Sequence, residues 1–242
     1  MSNEAEYKMP SDPAQLQAFT RIDTYVKPYD MNETQKFYNS WAKTYDDDYK
    51  AIPYHAHSML VNSLSSLISE EQRKSENFHI LDLASGTGNC GVTLREHGFS
   101  CTIDGIEANE AMNVQAVQKN IYRNLTVHIV TPDTRIPAED CSYDAIISTG
   151  GFSRTHIQAE CIKDVVRILK VGGLFWFSVR NTSLACDYNK SVEAVLAELQ
   201  STGSIEVILK NKFDYYSYNV EQQDSTEKVA VPGLERCIRK LK

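Results

Sequence analysis

The chain has 242 residues, 42% hydrophobic and 24% charged, which suits one generous globular domain or a core with a small appendage. Its formal net charge of −7 would repel a phosphate backbone, so no nucleic-acid partner is expected. No apolar run approaches the roughly 18–20 residues of a membrane span, and the polar start lacks a signal-peptide core, so no membrane partner is expected either.

Residues 1–29 are polar and punctuated by Pro10, Pro13 and Pro28, which predicts a flexible tail with at most one short helix over 13–21. Residues 30–76 are expected to form a helical lid. Asp30 and Glu33 have capping-box-like spacing at the start of a helix through Phe37, Tyr38 and Trp41. The run Thr44-Tyr45-Asp46-Asp47-Asp48-Tyr49 reads as too acidic for core. A second amphipathic helix over 53–68 carries Met59, Leu60, Leu64 and Leu67, and a polar connector, 69–77, follows.

From residue 77 onwards strands and helices alternate. Strands are predicted at 79–83, 101–106, 125–130, 143–148 and 174–180, with helices at 88–97, 109–119, 155–169 and 190–201. A sixth strand starts at Ile205, and a seventh falls within 234–241. The polar link 220–228 between them has no room for a crossover helix. The fold class is therefore α/β: a Rossmann-like, seven-stranded, mostly parallel sheet with helices on both faces and a C-terminal antiparallel strand. The basic run Arg236, Arg239, Lys240 and Lys242 is expected on a solvated face of the last strand. Six scattered cysteines (Cys90, Cys101, Cys141, Cys161, Cys186, Cys237) show no C-x-x-C and no zinc-like spacing. They predict free thiols, no metal and a reducing, cytoplasmic compartment.

The stretch HILDLASGTGNCG, 79–91, organises the chain. A buried strand ends near Asp82, the chain turns through Ser85-Gly86-Thr87-Gly88, and a helix begins. Glycines let the backbone approach a ligand, and the unpaired N–H groups of the first helical turn point at it. Gly86, Gly88 and Gly91 also spell G-x-G-x-x-G, with Glu107 at about the 20-residue distance that a ribose-binding acid occupies. The residues alone therefore point to a nucleotide-like ligand. A carboxylate at Asp82 suits a cationic ligand better than a pyrophosphate, which disfavours a nicotinamide dinucleotide.

Five segments in order resemble the class I S-adenosylmethionine-dependent methyltransferases of the type 11/25 group: FYNSWAKTYDDD, ILDLASGTG, DGIEANEAM, AEDCSYDAIIS and RILKVGGLFWFSVRN. The first of them, with STGGFSRTHI and the VRN ending strand five, is similar to a branch of methyltransferase-like proteins named for the Williams–Beuren syndrome chromosome region. The resemblance implies S-adenosyl-L-methionine as cofactor and a methyl-transfer activity. It carries cofactor contacts onto Asp82, Ala84, Ser85, Gly86, Thr87 and Gly88 in the turn, and onto Glu107, for the ribose diol. Ala108 and Met112 would line the adenine, Asp133 and Thr134 would meet its edge, and Ser148 would lie beneath the sulfonium. Trp41 and Tyr45 would fold over the site as a lid. Two positions depart from the family pattern: Ala84 replaces the first glycine of the turn, and Val171 replaces a proline before Gly172-Gly173. No motif names a catalytic base; His156, just after strand four, is the candidate, with Tyr38, Arg154 and Arg180 as substrate contacts. The methyl acceptor is expected to be a small molecule rather than a protein. The alternative is a catalytically silent cofactor-binding module that acts through a protein partner.

Overall fold

A computed structural model describes residues 8–24, 30–223 and 225–242. Its core is a seven-stranded sheet in the order β3-β2-β1-β4-β5-β7-β6. The strands are β1 (His79–Leu83), β2 (Thr102–Glu107), β3 (Leu125–Val127), β4 (Tyr143–Thr149), β5 (Leu169–Arg180), β6 (Ile205–Gln222) and β7 (Ser225–Lys240). The first five pair in parallel, and β7 runs antiparallel to both β5 and β6. This is the predicted fold class.

Strand period explains how both faces are covered. On one face Leu81, Ile146, Phe175 and Phe177 join a core with α8 (Ile162–Ile168) and α9 (Cys186–Ser201). On the other, Ile80, Ile103, Ala145, Ile147 and Trp176 pack with Leu60 and Leu64 of α4 (Ala56–Leu67) and Leu94 of α6 (Asn89–Glu96). Alternate residues point to opposite faces, and both faces are dry, so these strands read as continuous apolar runs. α7 (Glu110–Gln118) follows β2, with the Asn109 side chain accepting from the Met112 N–H as its cap.

Several elements differ from the sequence expectation. The helix predicted over 13–21 is α1 (Pro13–Thr24), and it is packed rather than trailing. Its Ala18, Phe19 and Ile22 are buried against Trp41 and against Tyr215, Tyr216 and Tyr218 of β6. Residues 1–7 and 25–29 of the expected tail lie outside the described residues. The acidic run forms α3 (Tyr45–Ala51), and its Asp48 is buried. Asp48 accepts from the Arg21 guanidinium and, at 2.5 Å, from the Trp41 indole N–H. Charge did not exclude this residue from the core because two donors meet it there. The connector 69–77 holds a short helix, α5 (Glu70–Lys74), with a complete Ser69–Gln72 capping box.

The helix predicted over 155–169 is shorter. Residues 155–158 stay outside it, a 3-10 turn covers Ala159–Cys161, and β5 begins at Leu169. β3 stops at Val127, which leaves 128–130 as a loop. The C-terminal basic run is only half solvated: Lys242 is exposed and Arg239 partly so, but the other two are buried. Arg236 is buried and donates to Glu193, while the Lys240 ammonium is buried against the carbonyls of Arg167 and Leu169.

α2 (Met31–Trp41) begins at Asp30, whose side chain accepts from the Glu33 N–H. Its Trp41, with Phe37, Tyr38 and α3's Tyr45 and Tyr49, forms a cluster of rings 4.6–6.0 Å apart. That aromatic contact seats α2 and α3 over the C-terminal ends of the parallel strands.

Candidate active site

The ends of β1, β2 and β4 and the loop after β3 line a partly open cavity, about 720 Å³ of empty space with its solvent-filled mouth included, under a roof of α2 and α3. Its position, outside the carboxyl ends of parallel strands, is where open α/β sheets place ligands.

β1 delivers the chain to a turn whose backbone is left-handed at Ala84, Gly86 and Gly88, with φ of 61°, 56° and 87°. Gly86 borders the cavity. At Gly88 a side chain would meet the Tyr122 ring at 3.1 Å as well as strain the backbone. Ala84 carries that strain without closing the cavity. Its methyl packs towards Gly151, where an added Cβ would come within 2.6 Å of it. A glycine lost on one side of the pocket is thus matched by a glycine on the other.

Glu107 ends β2 at the cavity wall, buried to 8% exposure. Its two carboxylate oxygens accept from the Gly86 N–H and the Asn109 N–H, each at 2.8 Å. Burial raises its pKa, and the Asn109 and Gly86 N–H groups partly offset that. Two acceptor oxygens retain lone pairs beyond these bonds. Asp82 lies behind the turn, fully buried. Its Oδ2 accepts from the Tyr122 hydroxyl at 2.7 Å, and its Oδ1 has no partner. Burial pushes Asp82 up to about 7, against the Tyr122 bond and with help from the Glu107 charge.

At the other end stand Tyr38 and His156, whose hydroxyl and Nε2 share a 2.8 Å hydrogen bond. The His156 Nδ1 lies 2.8 Å from both Ser153 Oγ and Thr155 Oγ1. Burial, and then the Arg180 charge, lower His156 to about 4, so the ring is neutral at pH 7.

Two polar clasps hold the roof down. Asp46 of α3 accepts from the Thr87 hydroxyl at 2.6 Å, the Asn89 amide at 2.9 Å and the Lys119 ammonium at 2.7 Å. Burial works against its charge, but these partners outweigh it and hold Asp46 below the ordinary carboxylate value. On the far side the Asn109 amide donates to the Gln35 side chain at 2.8 Å and to Asn39 at 2.9 Å. One clasp ties α3 to the glycine-rich turn, and the other ties α2 to the start of α7.

Of the residues singled out in the sequence, the structure brings Tyr45, Ala84, Gly86, Glu107, Ala108, Met112 and His156 to the cavity. Asp82, Ser85, Thr87, Gly88 and Ser148 form the layer behind it. Ser85 and Ser148 there keep buried hydroxyls with no partner. Trp41 is not on the cavity; its indole is committed to Asp48. Asp133 and Thr134 are also elsewhere, exposed on a separate depression with Arg135 and Arg167. Their expected wall is built by His128, Ile129 and Val130, because β3 ends early and the chain crosses the cavity five residues sooner. The sequence reading also missed Met31, Thr34 and Gln35. With Tyr38 they stand at i, i+3, i+4 and i+7 on one face of α2, a helical stripe legible in the sequence.

The comparisons fit this geometry. A family described as a methyltransferase domain matches residues 80–173, the span from β1 into β5. Human methyltransferase-like protein 27 is 27% identical over 177 residues, covering 73% of this chain and 70% of the relative. The ubiquinone/menaquinone biosynthesis C-methyltransferase UbiE of Bartonella quintana is 24% identical over 213 residues, covering 84% and 77%. In fold, a SAM-dependent methyltransferase from Aquifex aeolicus superposes with a TM-score of 0.52 at 15% identity, over 82% of this chain and 97% of the other.

The match over residues 80–173, the methyltransferase relatives and the fold together support a class I S-adenosylmethionine-dependent methyltransferase. S-adenosylmethionine is its cofactor. The residues present fit that group. Among the described residues, Glu107 is the one ionisable carboxyl on the cavity wall, and no Lys or Arg lines it. Asp82 adds an orphaned carboxyl oxygen just behind. A methyltransferase needs such a wall for a cationic cofactor without phosphates; a dinucleotide's pyrophosphate would be repelled.

Proposed function

We propose that this methyltransferase transfers its methyl group to a small molecule, with α2 and α3 as the lid of the site. The observation that carries this reading is the roofed cavity. Two clasps and an aromatic cluster press the lid onto the turn, which leaves a partly covered pocket rather than a flat surface for a folded protein. The UbiE relative, by its name, serves quinone biosynthesis, which favours a small acceptor over a protein.

In this reading Glu107 accepts the two ribose hydroxyls with the lone pairs its backbone bonds leave free. Ala108 and Met112, with Ile129 and Val130, enclose the adenine, while Gly86 lets the turn lie against the cofactor's amino-acid end. Asp82 balances the cationic charge from behind, through its unpaired Oδ1. When bound, S-adenosylmethionine supplies a methyl carbon activated by its sulfonium. The chain's own task is then to position the acceptor, exclude water and hold its proton. Neutral His156 suits the last step: a proton on Nδ1, facing Ser153 and Thr155, leaves Nε2 as an acceptor beside the Tyr38 hydroxyl. The cytoplasm is the compartment proposed, since all six cysteines are free thiols.

Methyl-labelled S-adenosylmethionine, incubated with the protein and a cell extract split by molecular-mass filtration, tests the acceptor class. Label transferred in the low-mass fraction supports the reading. Label fixed to protein would assign a protein acceptor, and no transfer in either fraction, with the cofactor still bound, would favour the silent binding module.

A further inference from the structure

A second, partly open cavity, about 520 Å³ of empty space with its mouth included, adjoins the first, and Gly150 and Thr155 line both. The shared wall is set by backbone: Gly150 has φ of 75°, and an added Cβ would come within 2.8 Å of the Tyr215 hydroxyl. The two chambers carry opposite charge. Among the described residues, the first is lined by one carboxylate and no Lys or Arg, and the second by Arg154 and Arg180 and no Asp or Glu.

Arg180 ends β5 and is only 8% exposed. Its guanidinium carbon sits 5.0 Å from the Tyr216 ring centre and 5.7 Å from that of Tyr215, a floor that fixes the plane of the fork. A guanidinium stays charged however deeply it is placed, and its field reaches the first chamber, where it contributes to the low pKa of His156. Nearby, the Asn189 amide donates to the Arg180 carbonyl at 2.9 Å, and its Oδ1 is buried with no partner. Ser153 and Thr182 add hydroxyls to the same wall, and Arg154 adds an exposed cation at the mouth.

We propose that this second chamber recognises the methyl acceptor by an anionic group, a carboxylate by preference, seated on Arg180 with Arg154 at the entrance. The inference rests on the methyl-transfer reading and names its substrate class: a small acid whose methyl-accepting atom reaches past Gly150 and Thr155 to His156. A planar fork held on an aromatic floor suits a carboxylate bidentately. The unpaired Asn189 Oδ1 offers a further acceptor to any O–H or N–H donor that the acceptor molecule carries. The opposite charges of the two chambers keep the cationic cofactor and the anionic acceptor each in its own place.

The test is calorimetric titration of the protein saturated with S-adenosylhomocysteine, using phenylacetate, its neutral isostere phenylacetamide, and phenyl phosphate as probes. Phenylacetate is expected to bind at least tenfold more tightly than the amide, the difference a charge-assisted pair supplies. Arg180→Met is expected to abolish that preference while S-adenosylhomocysteine affinity stays within about threefold. Since Arg180 is buried, Arg154→Met and Arg180→Lys serve as gentler variants, each weakening phenylacetate severalfold with little change in melting temperature. Tighter binding of phenyl phosphate than of phenylacetate would support the anion site and assign it to phosphate esters. Equal binding of phenylacetate and phenylacetamide, or no loss in any folded arginine variant, would overturn the proposal. Failure of S-adenosylhomocysteine to bind is a different result and would count against the methyl-transfer reading itself.

Discussion

Glu107→Gln separates two roles that the structure gives to one side chain. The carboxylate holds the Gly86 and Asn109 N–H groups at 2.8 Å each, and it faces the cavity where a ribose diol would lie. An isosteric amide can accept from only one of those N–H groups and turns an N–H₂ towards the other. One charge-assisted bond is lost and one buried donor orphaned, about 2–4 kcal/mol by the usual ranges. A domain with the typical 5–15 kcal/mol of stability remains folded after such a loss. Urea denaturation at pH 7.5 should therefore show a lower midpoint with an unchanged slope. Binding of S-adenosylhomocysteine should weaken further, by about 10–100-fold, because the ribose loses an ionised acceptor. Calorimetry on the folded variant reads this directly. Unchanged affinity would refute the ribose assignment. An unchanged midpoint would refute the view that Glu107 fixes the turn.

Asp82 predicts a proton linkage. Its folded pKa of about 7 lies above the ordinary 3.8, so the free protein holds this proton more tightly than the unfolded chain, and this group's contribution to stability falls as pH rises across that window. A cationic ligand favours the carboxylate, so binding of S-adenosylmethionine at pH 7 should release up to about half a proton. Calorimetry in buffers of different ionisation enthalpy measures it, and Asp82→Asn should abolish it. Asp46→Ala should cut one clasp, raising the S-adenosylhomocysteine dissociation rate severalfold in stopped-flow while lowering stability by about 1–3 kcal/mol; an unchanged dissociation rate would mean the lid does not gate the site. Ala84→Gly should relieve left-handed strain, leaving stability equal or up to about 1 kcal/mol higher in thermal melts, with cofactor affinity retained. His156 has a folded pKa of about 4, below the ordinary 6.5. Its neutral form is thus already dominant by pH 6. Any methyl transfer that uses it as proton acceptor should be flat in rate from pH 6 to 8 and fall towards pH 4.

The α/β alternation, a mostly parallel sheet and the antiparallel C-terminal strand follow from the sequence by itself. Hydrophobic period and the glycine turn are local properties of the chain, and five family segments in order reinforce them. The turn and Glu107 stand where those patterns put them. Tertiary structure alone decided which polar residues are core. Asp48 looked too charged to bury until Arg21, 27 positions away, met it beside Trp41. Lys240 looked solvated until two carbonyls of the β5 entry closed over it. The same holds for the cavity wall. Where β3 stops sets whether 128–130 or 133–134 faces the ligand, and a strand end depends on pairing with β2 rather than on its own residues. Burial, partnership and pKa depend on distances between segments far apart in the chain, which no local pattern encodes.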